Sequence, residues 1–111
     1  MRAAAVLLIA LGLAGATAAT AADRVSDLDY LKANRCKALA VGLGGDTAGV
    51  DALIKAQSRS RSDAVIQRAD EEIARAKKET TRPELRDRLS AELSGACVAY
   101  LGGGKEMAAG H

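Results

Sequence analysis

Two cysteines, Cys36 and Cys97, are the only cysteines in this chain, and they lie 61 positions apart. In a protein that folds in an oxidising compartment, an even cysteine count predicts a disulfide, the alternative being two buried free thiols. A bridge across so long a loop would remove about 4 kcal/mol of unfolded-state entropy. The compartment to which the chain is sent therefore decides how it can be stabilised.

The N-terminal residues 1–22 are organised like a secretion signal. Arg2 gives a positive start, followed by an apolar run (AAAVLLIALGLA) and then by small residues (GATAATAA). Signal peptidase requires small side chains before the cleaved bond, which predicts a mature chain beginning near Ala22 or Asp23. The alternative is an uncleaved single-pass anchor, because residues 3–22 carry no charge. Cleavage is favoured because Ala, Thr and Gly contribute little to membrane insertion.

The composition of the mature chain limits both its core and its partners. Removing residues 1–22 from the 111 leaves 89, with 15 Lys and Arg against 14 Asp and Glu, because only Arg2 is lost. This balance argues against a dedicated binder of nucleic acids or anionic membranes, which would need concentrated positive charge. Phe and Trp are absent from the chain. The core must come from smaller aliphatic side chains, so a disulfide or a partner subunit is expected to support it.

Helix signals dominate the mature sequence, and no alternating β-branched run predicts a strand. Ser26 and Asp29 form a capping box that opens a first helix. This helix should end in residues 42–45 (GLGG), because glycine adopts the left-handed cap conformation without strain. Tyr30 falls opposite the expected apolar face. That face comprises Val25, Leu28, Cys36, Leu39 and Leu43.

A second helical stretch is expected to open at Asp46 or Thr47 and could reach Thr80. Its polar middle (KAQSRSRSD) offers almost nothing to bury, which favours a break near 58–62. Ser60 and Asp63 would then form a new capping box. The alternative is one unbroken helix about 51 Å long, much of which would stand uncovered.

The last helix has the clearest start signal in the chain. Thr81 is expected as its N-cap, with Pro83 in the first turn and Glu84 at the third position. Residues 102–104 (GGG) should end it, and residues 105–111 are expected to form a flexible tail. One apolar face is predicted, formed by Leu85, Leu89, Leu93, Ala96 and Tyr100.

These signals predict an all-α protein, with residues 23–104 forming a small antiparallel bundle of three or four helices behind the signal peptide. A disulfide between Cys36 and Cys97 would join the first helix to the last. In size, cysteine count and helical content the chain is similar to small periplasmic acid-stress chaperones and to some exported haem carriers. The similarity is one of class and includes no shared motif.

No constellation in the sequence predicts catalysis, a metal or a cofactor. The only histidine is His111, on the expected tail. Catalysis by a serine or cysteine nucleophile needs a histidine held in a fixed position as a base, and a tail does not provide one. The carboxylates at 70–72 lie among arginines one turn away, which is typical of an exposed, ion-paired helix face. Tyr30 and Tyr100 are the only candidate haem ligands and are expected to be ordinary core or surface residues.

One basic segment, SRSRS at 58–62, has no interleaved acid. Arg59 and Arg61 are therefore the candidate docking residues for an acidic partner. We expect an exported, periplasmic or secreted protein with a binding, chaperone-like or structural role. Its partner would be an unknown envelope protein, with no nucleic acid and no stable membrane association after cleavage. The alternatives are a single-pass anchored protein and an exported carrier of haem or another ligand.

Overall fold

The computed structural model describes residues 25–104, and all regular secondary structure within that range is helical. Residues 1–24 and 105–111, with the predicted signal peptide, mature N-terminus and tail, lie outside the described residues. The elements are α1 (Asp27–Leu43), α2 (Ala48–Ser58), α3 (Asp63–Thr80), a 3-10 turn (Pro83–Leu85), α4 (Arg86–Ser94) and α5 (Val98–Leu101). The predicted all-α class is confirmed.

The predicted limits of α1 are confirmed at both ends. The Ser26 hydroxyl oxygen accepts a hydrogen bond from the Asp29 backbone N–H at 3.0 Å, and the Asp29 carboxylate accepts one from the Ser26 N–H at 3.2 Å. The helix stops at Gly44, whose φ of 83° lies in the left-handed region that glycine adopts without strain.

The predicted break between α2 and α3 is confirmed, but its cap is Ser62 and not Ser60. The Ser62 hydroxyl oxygen accepts a hydrogen bond from the Val65 N–H at 3.3 Å. Ser60 still belongs to the end of α2, because its N–H and hydroxyl both donate to the Gln57 carbonyl. Ser60, which was predicted to cap the start of α3, therefore stabilises the end of α2, and the cap of α3 lies two residues later.

The last predicted helix is divided in the structure, and Thr81 does not cap it. The Thr81 hydroxyl donates to the Lys78 carbonyl at 2.7 Å and so belongs to the end of α3. Gly95, at φ −113° and ψ −87°, then leaves helical geometry and separates α4 from α5. The bend brings Cys97 into the core, where it is fully buried.

The first three helices alternate in direction along the chain. Arg61, just after α2, pairs with Asp27 at the start of α1, so α2 runs back along α1. Glu79 near the end of α3 and Glu92 near the end of α4 both meet Arg35 in the middle of α1. As a result α1 and α3 run in the same direction, and α1 packs most extensively against α3.

The predicted apolar face of α1 is wrong at two positions, because this helix lies at the centre of the fold. Tyr30, expected opposite the apolar face, is 4% exposed, whereas Leu28, expected in the core, is 59% exposed. The reason is that α1 is covered by several other helices, so its buried surface does not follow one stripe of large apolar residues. Tyr30, Ala40 and Ala69 are buried, as is the main apolar cluster, which consists of Ala33, Cys36, Ala38, Leu39, Val50, Leu53, Ala76, Leu89, Cys97 and Tyr100.

The predicted disulfide is confirmed. Cys36 on α1 and Cys97 just before α5 are bonded to each other, with their Cα atoms 5.6 Å apart. The bridge ties the first helix to the last one, as expected, because both cysteines project into the common core.

Candidate functional site

An open groove of about 390 Å³ lies between α1, α3 and the α4–α5 segment. One face of α1 forms its longest side, with residues at the spacing of adjacent helical turns (positions 28, 31, 32 and 35). The groove is lined by Leu28, Leu31, Lys32, Arg35, Cys36, Arg68, Glu72, Glu92, Ala96 and Tyr100.

Part of the groove lining is apolar. Leu28 is the most exposed leucine among the described residues, with 59% of its surface accessible, and Leu31, one turn along α1, is half-buried. Ala96 lines the groove from the α4–α5 segment, and the buried Cys36 and Tyr100 complete the apolar lining. A single exposed leucine is common on protein surfaces, but one that lines a concave surface is typical of a binding site.

Arg35 fixes one wall of the groove. Its Nε and Nη2 donate to the two carboxylate oxygens of Glu92 at 2.7 and 2.9 Å, and Nη2 also donates to Glu79 at 3.0 Å. Hydrogen bonds to Glu92 and then to Glu79 raise the pKa of Arg35, and the bond from Arg35 lowers the pKa of Glu79. The guanidinium therefore holds α1, α3 and α4 together through a planar, two-pronged contact.

A second polar clamp crosses the fold from α5 to α1. The Tyr100 hydroxyl donates to Asp29 Oδ1 at 2.9 Å. Burial and this hydrogen bond raise the pKa of Tyr100 to about 12. Partial burial raises the pKa of Asp29, but the hydrogen bonds from Tyr100 and Ser26 outweigh it, so the pKa of Asp29 lies below its ordinary value.

Tyr100→Phe is expected to lower the free energy of unfolding by about 1.5 to 3 kcal/mol at neutral pH, because a carboxylate loses a hydrogen bond. The raised native pKa of Tyr100 means that this contribution is complete below about pH 10 and is lost as pH rises further. The lowered pKa of Asp29 means that it is also lost as pH falls below about 4. Urea unfolding of both proteins at about pH 3, 7 and 11 measures the difference. If Tyr100→Phe lowered the free energy of unfolding equally at all three pH values, the hydrogen bond between the Tyr100 hydroxyl and an ionised Asp29 would be contradicted.

Comparisons with protein-family models, curated proteins and solved structures find no match to this chain.

The two predicted docking residues occupy different environments. The Arg61 side chain is 10% exposed, and it donates to Asp27 Oδ1 and to the Val25 carbonyl, both at 2.7 Å. Its guanidinium also lies 5.5 Å from the centroid of the Tyr30 ring. The expectation that the whole basic segment is unneutralised is therefore wrong at Arg61, because a distant acid on α1 pairs with it. Arg59 is exposed, lies outside the groove, and stays a predicted docking residue.

The acidic residues at 70–72 show the exposure and pairing expected of a helix surface. Asp70 and Glu71 are exposed, and Glu72 pairs with Arg75 at 3.0 Å, as an ion-paired helix face should. Between residues 25 and 104, no group of three or more His, Cys, Asp and Glu could hold a metal ion. Within the same range, no helix is long and apolar enough to cross a bilayer. His111 lies outside the described residues.

The groove and Arg35 were not identified from the sequence. Arg35 bonds to residues 44 and 57 positions away, a distance that no local pattern reveals. One signal was available, because Leu28, Leu31 and Arg35 share one helical face on which a charge follows two leucines.

Proposed function

We propose that the protein is an exported binding protein that takes its ligand in the groove between α1, α3 and the α4–α5 segment. The feature that carries this proposal is the concave apolar surface around the exposed Leu28. A volume of about 390 Å³ falls in the range typical of small-molecule sites. The Cys36–Cys97 disulfide is typical of proteins outside the cytoplasm, and the signal-like residues 1–22 support export.

The polar residues of the groove support binding in preference to catalysis. Arg35 and Glu92 bond to each other, and Glu72 bonds to Arg75. The Arg35–Glu92 contact holds α1 and α4 in position, which preorganises the walls of a binding site. The Glu72–Arg75 pair lies within α3 and fixes the Glu72 side chain. A general base would instead need a carboxylate or imidazole with a free acceptor oxygen or nitrogen directed at a substrate.

Leu28→Asp is expected to weaken binding of an uncharged apolar fluorophore, N-phenyl-1-naphthylamine, by about 10- to 100-fold. The reason is that burying a leucine side chain contributes about 1.5 to 3 kcal/mol. The measurement is a fluorescence titration of the protein purified as the cell delivers it, with its N-terminus determined by intact mass.

Val41→Asp provides a matched control for this experiment. Val41 lies on the same helix and is 61% exposed, close to the 59% of Leu28, but it does not line the groove. Its substitution should leave the affinity unchanged, and melting curves of both variants should match those of the unmodified protein. Equal weakening by the two substitutions, or the absence of saturable binding, would refute the groove as the ligand site.

A further inference from the structure

We infer that the ligand of the groove is a single-chain anionic amphiphile, whose hydrocarbon chain lies on Leu28, Leu31 and Ala96 and whose head group contacts Lys32 and Arg68. The inference rests on the proposed function, because it names the class of molecule that the same groove would hold. The observation that supports this inference is the distribution of charged residues around the apolar part of the groove lining.

The charges that line the groove do not cancel locally. Arg35 is engaged by Glu92, and Glu72 is engaged by Arg75, which lies outside the groove lining. The remaining charged residues of the lining are Lys32 and Arg68. In the described part of the chain, neither of them has a carboxylate within ion-pair distance.

Asp29 does not change this balance. Its carboxylate accepts hydrogen bonds from Tyr100 and from Ser26, and Lys32 acts on it only as a more distant charge that helps to lower its pKa. Both unpaired cations are exposed, one on α1 and one on α3, so an anion between these helices would be attracted from two sides.

The apolar lining requires the rest of the ligand to be hydrocarbon. Leu28 on α1 and Ala96 on the α4–α5 segment are exposed and line the groove, and Leu31 on α1 is half-buried there. Each methylene that leaves water against such a surface contributes about 0.8 kcal/mol. An inorganic anion would leave this apolar surface uncovered, and an uncharged hydrocarbon would leave Lys32 and Arg68 without a partner.

The size of the groove favours a small molecule over a protein segment. An α-helix is about 10 to 12 Å across with its side chains and rises about 5.4 Å per turn, so a single turn fills roughly 400 to 600 Å³. The groove, at about 390 Å³, could accept no more than one turn. A single hydrocarbon chain is much narrower than a helix, so the same volume can enclose more of it.

Displacement of N-phenyl-1-naphthylamine by three ligands with the same ten-carbon chain tests the inference. Decanoate is expected to bind at least about 10-fold more tightly than uncharged decanol and cationic decyltrimethylammonium, at neutral pH and below micellar concentrations. Lys32→Gln and Arg68→Gln should each reduce this preference by about 3- to 10-fold, and the double variant should abolish it. Binding of decanol should be unchanged in all three variants.

Lys77→Gln and Arg86→Gln are matched controls, because both residues are exposed and neither lines the groove. They should leave the preference for decanoate intact. If they reduce it as much as Lys32→Gln and Arg68→Gln, overall charge and not the groove attracts the anion, and the inference is overturned.

The remaining outcomes separate the inference from the proposed function. Equal displacement by the three ligands would refute the anionic ligand while leaving the groove as a binding site. Failure of the fluorophore and of all three ligands to bind would refute both. Occupation of the groove by the chain's own N-terminal segment would appear as binding only after that segment is removed, and would also overturn the inference.

Discussion

Reduction of the Cys36–Cys97 disulfide is expected to lower the free energy of unfolding by about 4 kcal/mol. The bridge joins cysteines 61 positions apart, and in the chain-entropy model opening such a loop returns entropy that lowers the free energy of the unfolded state by about that much. Small domains have a total stability of only about 5 to 15 kcal/mol. Chemical unfolding followed by circular dichroism, with and without a reductant, measures the change.

The double variant Cys36→Ala, Cys97→Ala is the control for this measurement. It removes the bridge without leaving buried thiols, and its stability should be close to that of the reduced protein and unaffected by reductant. A count of free thiols in the untreated protein completes the test. Two free thiols, or unfolding curves that do not respond to reductant, would show that the fold does not depend on the bridge.

Leu89→Ala is expected to lower the free energy of unfolding by about 2 to 5 kcal/mol. Leu89 lies on α4 with no exposed surface, in the cluster that contains the disulfide. Its truncation removes buried methyl groups and leaves a cavity that the surrounding helices fill only in part. Leu39, equally buried on α1, should respond in the same way.

Asp70→Ala is the comparison for these core substitutions. Asp70 is exposed on α3, so its loss should change the free energy of unfolding by less than about 1 kcal/mol. Urea unfolding of the three variants at neutral pH provides the ranking. If Asp70→Ala were the most destabilising of the three, the acidic segment would have a role that its exposure does not explain.

Local signals in the sequence predicted most helix ends correctly. The capping box at Ser26 and the glycine at position 44 act through neighbouring backbone groups, so they operate without knowledge of the rest of the fold. Ser60 and Thr81 show the limit of this approach. Each hydroxyl donates to a carbonyl three residues earlier, because serine and threonine can close one helix as easily as they can open the next.

Long-range contacts account for what the sequence did not predict. Tyr30 is buried because Arg61, which follows the C-terminal end of α2, lies over its ring and pairs with Asp27. The groove depends on the bend at Gly95 and on the contacts of Arg35 with α3 and α4. Helical periodicity identifies which residues share a face, but it does not identify which helix covers that face.

The disulfide also determines how the protein would respond to a pulling force on its two ends. Residues 36–97 form a closed ring, so tension applied at the termini passes through the sulfur bridge and bypasses α2, α3 and α4. Only the segments outside the ring can be drawn out, and of the described residues these are 25–35 and 98–104. Part of the groove would be lost in this way, because Leu28, Leu31 and Tyr100 lie on those segments, whereas Arg68 and Glu72 would stay inside the ring. Mechanical load would therefore open the groove while α2, α3 and α4 stayed enclosed in the ring.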